Sequence, residues 1–200
     1  AAAAAAAAAK PAAGANPAGA DPAAAAAADN DDEDDKALVH STLREARLVL
    51  SNIEVQRGRL PAAEEWLEQV LDEFPEDVGA KNDLGYLWAD QNKRLSRALE
   101  MCRQAVEAEP DNHAYRDSLG WALYRLGRFE PAVKELEAAV AGDDEPDGVV
   151  LDHLGDAQRA AGQADAARAT WKRAVEAFER EKESTKAKAV AKKLADNAKS

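Results

Sequence analysis

The chain is poor in the residues that most often carry chemistry. Its 200 residues include one cysteine, Cys102, which excludes an internal disulfide and any zinc module built from several thiolates. The three histidines, His40, His113 and His153, are scattered, no glycine-rich loop has the spacing that cradles phosphate, and no serine stands in a nucleophile-elbow context. No catalytic constellation, cofactor or metal site is therefore expected. Bulky apolar residues are scarce too: the hydrophobic fraction is 46%, but 49 residues are alanine and only 43 belong to the other apolar types, enough for one core. Apart from alanine there is no run of about 18 apolar residues, so no membrane-spanning helix is expected. Positive charge is in deficit, with 26 Lys and Arg against 38 Asp and Glu. That balance of −12 argues against duplex nucleic acid as a main partner, because such affinity comes largely from neutralising phosphates. The chain begins without methionine and reads as a fragment or processed product. The lack of disulfides fits the cytoplasm and leaves the periplasm open.

What is present falls into three stretches. Residues 1–36 hold alanine interrupted by Pro11, Gly14, Pro17, Gly19 and Pro22, then an acidic string from Asp29 to Asp35. They bury too little apolar surface to offset their ordering entropy and are expected to form a disordered linker. Residues 37–179 have helical periodicity and repeat themselves. Ala63, Ala98, Ala132 and Ala167 recur every 34 or 35 residues, and the positions four further on are Leu67, Cys102, Leu136 and Trp171. Gly58, Asn92, Gly127 and Gly162 keep the same period, as do Leu50-Ser51, Leu84-Gly85, Leu119-Gly120 and Leu154-Gly155. Residues 180–200 carry seven basic and three acidic side chains, with Ala187, Val190, Ala191 and Leu194 as a narrow apolar stripe. This suits a helix covering the open end of a repeat array, with a basic contact to an acidic partner as the other reading.

Each column has a physical sense. A glycine in mid-helix costs about 0.8–1 kcal/mol relative to alanine, so something must compensate, and close approach of a paired helix does so. The recurring alanine serves that contact from the other side. Gly58, Gly127 and Gly162 suit the left-handed conformation that ends a helix, and asparagine, here Asn92, is the next best residue for it. Pro75 and Pro110 stop the second helices of the first two units. Cys102 falls in the same column as Leu67 and Leu136 and is expected to be a small core residue rather than a reactive thiol.

The segment Tyr115 to Val140 contains Asp117-Ser118-Leu119-Gly120-Trp121-Ala122-Leu123-Tyr124-Arg125-Leu126-Gly127-Arg128-Phe129. With this unit and the shared period, residues 44–179 resemble a tetratricopeptide repeat protein. Asn82-Asp83-Leu84-Gly85-Tyr86 and Asp152-His153-Leu154-Gly155-Asp156 are similar to C-terminal repeats of large bacterial proteins of this class. The resemblance implies an all-α solenoid of about four helix–turn–helix units, near 44–77, 78–112, 113–147 and 148–179, with a C-terminal capping helix over 180–200. Two departures stand out. Arg47 and Glu54 occupy places where the family prefers bulky apolar residues, and one residue is inserted near Arg94-Leu95.

The resemblance also implies a function: a non-catalytic scaffold or adaptor that holds a protein or peptide in a concave groove lined by the first helices. The alternatives are a regulatory or substrate-recruiting module of a larger enzyme and an adaptor of an envelope protease or secretion assembly. Matched by repeat column, the groove would present Asn52, Val55 and Gln56, then Asn82, Asp83, Tyr86 and Asp90. The third unit adds Asp117, Ser118, Trp121, Tyr124 and Arg125, and the last adds Asp152, His153, Asp156 and Arg159. This surface is acidic with aromatic centres, so the expected partner segment is basic or mixed apolar–basic. Tyr86, Trp121 and Tyr124 have a second reading, as packing against the next unit. Asp152, His153 and Asp156 are expected to form a solvated acidic patch rather than a metal site, although Asp117 one unit earlier could approach them. The chaperone-type carboxylate clamp of some relatives is rejected, because its places hold Leu48, Asn52, Asp83, Ala114 and Ser118, and Asp83 would face the ligand anion.

Overall fold

The computed structural model describes residues 22–142 and 144–197. Among them there are nine helices and no strand: α1 Pro22–Gln56, α2 Leu60–Glu73, α3 Val78–Asp90, α4 Leu95–Ala108, α5 His113–Arg125, α6 Phe129–Ala141, α7 Gly148–Ala160, α8 Ala164–Arg180 and α9 Ser184–Asn197. The chain divides into two compact units, residues 1–43 and residues 44–200. Of the expected linker, residues 1–21 lie outside the described residues. Residues 22–36, expected to be disordered, are instead helical as the first part of α1, where Ala23 to Ala28 supply the best intrinsic helix formers. Within the first unit Ser41 and Thr42 donate their hydroxyl hydrogens back to the Leu38 carbonyl at 2.9 and 2.8 Å. No helix among the described residues is long and apolar enough to cross a membrane.

In the second unit the helices pack as an α-solenoid, α3 on α4, α5 on α6 and α7 on α8, with α5 also touching the first helices on either side of it, α3 and α7. The column residues make these contacts. Ala63, Ala98, Ala132 and Ala167 are fully buried. A Cβ at Gly85 would come within 2.8 Å of the Cys102 sulfur, one at Gly120 within 2.5 Å of Leu136, and one at Gly155 within 2.4 Å of the Trp171 ring. The small residue and the residue on the partner helix are therefore two halves of one contact. In the first pair the corresponding Ser51 donates its hydroxyl to the Ala63 carbonyl at 3.1 Å. Arg47 and Glu54, out of place in the family pattern, are ion-paired: Arg47 with Glu73 at 2.9 Å and Glu54 with Arg59 at 2.6 Å. Charge pairing at a partly exposed boundary replaces the apolar contact used elsewhere.

Helix ends follow the punctuation. The cap residues Phe74 and Glu109 immediately precede Pro75 and Pro110. Gly58, Gly127 and Gly162 turn with φ of 71°, 73° and 82°, and Asn92 with 57°. The inserted residue is absorbed by a second left-handed residue, Arg94 at φ 43°, directly before α4. Because a side chain in this conformation costs about 1–2 kcal/mol, Gly127→Ala is expected to lower stability by about that amount. Asn92→Gly, by contrast, should leave stability level or slightly raised. Urea denaturation of the two variants, followed by circular dichroism, checks both signs.

The starts of α3, α5 and α7 share a further device. Asp77, Asn112 and Asp147 each accept a backbone N–H of the first turn, from Ala80 at 2.8 Å, Tyr115 at 3.3 Å, and Val149 and Val150 at 2.8 and 2.9 Å. These caps fix where each of these three helices begins and hence which of its side chains share a face. One core runs from α2 into α7 through Leu84, Trp88, Leu119 and Leu136, and a second joins α7, α8 and α9 through Leu151, Trp171, Phe178 and Val190. Ala187 and Val190 of α9 are buried in the latter.

Candidate functional site

Along the first helices of the second unit two cavities lie side by side. The larger, about 370 Å³, is bounded by Asn82, Asp83 and Tyr86 of α3, by His113, Ala114, Asp117 and Ser118 of α5, by Ala139 of α6, and by Pro146, Asp147, Val149 and Val150 around the start of α7. The smaller, about 180 Å³, is bounded by Ser51, Asn52 and Val55 of α1, Leu67 of α2, and Asp83, Tyr86 and Leu87 of α3. Asp83 and Tyr86 form the wall common to both. No lysine or arginine lines either one.

The polar groups here are unevenly satisfied. Asn82 donates its Nδ2–H to Asp83 Oδ1 at 3.2 Å, whereas its buried Oδ1 has no partner. Asp83 reaches solvent, yet surrounding protein excludes much of its water. That burial pushes its carboxyl above the ordinary value, with Asn82 opposing and Asp77 adding to the rise. Burial together with Asp90, Asp117 and Asp147 likewise drives the Tyr86 phenol far up, so it stays protonated as a donor. His113 packs its ring against Gly142, and its Nδ1 is also unpartnered.

Seven of the expected groove residues, Asn52, Val55, Asn82, Asp83, Tyr86, Asp117 and Ser118, therefore meet at these cavities. Gln56 is exposed at the end of α1, outside both. The others are engaged within the protein. Trp121 is 8% exposed and stacks on His153 with centroids 4.0 Å apart, on Tyr124 at 4.9 Å, and donates its indole N–H to Asp90 at 3.3 Å. Arg125 donates to the Asp90 carbonyl at 2.6 Å and lies over the Trp121 ring. Trp121 thus packs against the next unit, as its second reading had it, while the half-buried Tyr124 stacks on Trp121 and tilts against Phe129 of its own unit.

The acidic patch of the last unit is not solvated as expected. His153 is buried, and its Nδ1 lies 2.9 Å from Asp117 Oδ1 and 3.2 Å from Oδ2. Burial lowers the imidazole pKa, but the Asp117 charge and hydrogen bond, with Asp152 and Asp156 beyond, outweigh it and leave a net rise. Lys193 of α9 reaches back to Asp152 at 2.7 Å and Asp156 at 2.8 Å, and Asn197 accepts from Arg159. The C-terminal helix therefore uses its lysine internally, and it covers side chains that the repeat columns assigned to the groove. Among the described residues no group of three ligand-type side chains converges as a metal site would. Cys102 is fully buried, and that burial, with Asp117 and Asp83 nearby, pushes its thiol up to about 12, which keeps it protonated and unreactive.

Residues missed at the sequence level are His113, Pro146, Asp147, Val149 and Val150. Asp147 left a signal: Asp77, Asn112 and Asp147 are spaced by 35, the period of the other columns. The valines left none, since they follow a loop of different composition from the loops before α3 and α5.

Sequence profiles of the tetratricopeptide repeat match residues 48–113 and 90–148, and a second such profile matches residues 150–178. A TPR repeat-containing protein of Pseudomonas aeruginosa is 36% identical over 101 residues, half of this chain and 17% of that protein. The chain thus spans about a sixth of the length of this curated relative. Among solved structures, one of MamA is 27% identical with a TM-score of 0.53, covering 69% of this chain and 78% of that one. A thermophilic TPR protein from Thermus thermophilus is 21% identical with a TM-score of 0.60, covering 78% and 91%. An O-GlcNAc transferase of Thermobaculum terrenum is 20% identical with a TM-score of 0.62, covering 70% of this chain and 26% of that one. The last two likenesses concern the fold alone.

Proposed function

Because the chain belongs to the tetratricopeptide repeat family, whose fold generally serves as a non-catalytic protein–protein interaction scaffold, we propose that its first helices hold a basic or mixed apolar–basic segment of a partner protein. One observation carries the reading. The two cavities open beside Asp83 and Tyr86 with no lysine or arginine on their walls, so that, with Asp117 taken by His153, the carboxylates of Asp83 and Asp147 are left for an external cation. Tyr86 offers a rigid amphipathic ring at the shared wall, the kind of side chain that anchors interfaces. The open region is centred on α3 and α5, and the last unit contributes through the start of α7, because α9 has taken its remaining acidic side chains.

Selection of displayed random peptides on the full chain tests this. The enriched peptides are expected to pair lysine or arginine with an aliphatic residue and to bind more weakly as salt is raised. Asp83→Lys should weaken the selected peptides about tenfold or more, since it places a like charge against them. Its side chain is exposed, so unchanged helical circular dichroism serves as the folding control. Enrichment of acidic peptides, or binding indifferent to Asp83→Lys, would overturn the groove reading.

A further inference from the structure

The two cavities differ in chemistry, and the difference specifies more than a general preference for positive charge. The smaller is walled by Val55, Leu67 and Leu87, with Ser51 and Asn52 at its edge. It has the character of an aliphatic side-chain pocket. The larger combines aliphatic walls at Val149 and Val150 with the carboxylates of Asp83 and Asp147. It also holds an unmet demand. Asn82 is 7% exposed, its Nδ2 is spent on Asp83, and its Oδ1 has no partner among the described residues. A buried acceptor without a donor is costly, and a bound donor removes the cost. His113 Nδ1, also unpartnered, is a second acceptor in the tautomer that carries its proton on Nε2. What is missing is therefore a group with several N–H donors, a positive charge and an apolar stem. Lysine and arginine side chains meet all three conditions.

We propose that these adjoining cavities read a two-residue signature in the partner segment, an aliphatic side chain in the smaller and a lysine or arginine in the larger, with the segment crossing the Asp83–Tyr86 wall between them. This assignment rests on the groove reading above and narrows it. The shared wall requires that both side chains come from one short stretch of chain. A free polyamine supplies the cation but leaves the aliphatic pocket empty.

The test is a set of short peptides, acetyl-leucine and lysine amide joined by one, two or three glycines, titrated into the full ¹⁵N-labelled chain. One spacing is expected to shift the amides of Asn82, Asp83, Tyr86, Val149 and Val150 together with Val55, and to do so better than the other two. Replacing the lysine by ε-acetyl-lysine should weaken that peptide about tenfold, as should replacing the leucine by serine. Val55→Asp should abolish the dependence on leucine while keeping the dependence on lysine, and Asp83→Asn should reduce the latter. Spermidine should shift the larger cavity's amides only, with weaker binding. Groove shifts that ignore lysine acetylation would overturn the signature while leaving the groove reading intact. Shifts confined to other surfaces, no shifts at millimolar peptide, or spermidine binding as tightly as the best peptide would also overturn it, and the selection experiment decides the broader reading independently.

Discussion

Trp171→Ala is expected to destabilise the second unit by about 3–5 kcal/mol, the range for removing a large aromatic side chain from a well-packed core. Trp171 is 2% exposed and stands in the core shared by α7, α8 and α9, with its ring against Gly155. Gly155→Ala gives the sharper result. In the parent chain the new Cβ would fall 2.4 Å from the indole, so the expected effect is a loss of about 1–3 kcal/mol despite the better helix propensity of alanine. Once Trp171 is alanine the obstruction is gone, and the same change should stabilise by roughly 0.5–1 kcal/mol. Denaturant titration of the parent, both single variants and the double variant measures this reversal of sign. Additive effects would mean that the glycine column has some other cause than close approach. Amide exchange should speed up most in α8 and α9, because stability in a repeat array is largely a sum of local and nearest-neighbour terms.

The Asp117–His153 pair gives the second large effect. Asp117→Asn is expected to cost about 1–3 kcal/mol, since it weakens a buried hydrogen bond to an ionisable ring. Its sign with pH is more diagnostic than its size. Against burial, which acts the other way, the folded chain holds the His153 proton more tightly than an unfolded chain does, through Asp117 on α5 and Asp152 and Asp156 on its own helix, the last two of which also hold Lys193 of α9. The stabilisation is therefore fully present below the ordinary histidine pKa of about 6.5 and is lost as pH rises through the raised folded value. Urea midpoints should fall between about pH 6 and pH 8 in the parent. His153→Gln should flatten that slope. In Asp117→Asn the burial acts without its main opponent, so the slope should reverse. A parent chain whose stability rises over this window would contradict the pairing.

The repeat itself was legible because close contacts between paired helices demand small residues at fixed spacing, and Gly85, Gly120 and Gly155 have few other reasons to stand in mid-helix. The caps Asp77, Asn112 and Asp147 keep the same period but look like ordinary polar loop residues when read one at a time. Which aromatic stays open was not legible. Trp121 and Tyr86 occupy corresponding places, one unit apart, and the difference comes from what the following unit sets opposite. The ring of His153 stacks at 4.0 Å on Trp121 and stands 6.2 Å from Tyr86. Such a contact spans more than thirty residues and has no local signature. Lys193 was equally hidden, as one of seven basic residues near the end with nothing in its neighbours to single it out. The start of α1 differed from expectation because alanine favours helix strongly while the prolines and glycines near it argue for irregular chain.

The lysine of α9 has an electrical consequence for the whole row of first helices. Asp152 and Asp156 share one internal counter-ion, while Asp83 and Asp147 have no lysine or arginine beside them among the described residues. The two carboxylates at the α9 end therefore have one of their charges offset by Lys193, whereas Asp83 and Asp147 keep theirs. Uneven charge of this kind orients an approaching charged chain before contact. The basic segment proposed above is therefore expected to meet the row in one preferred direction.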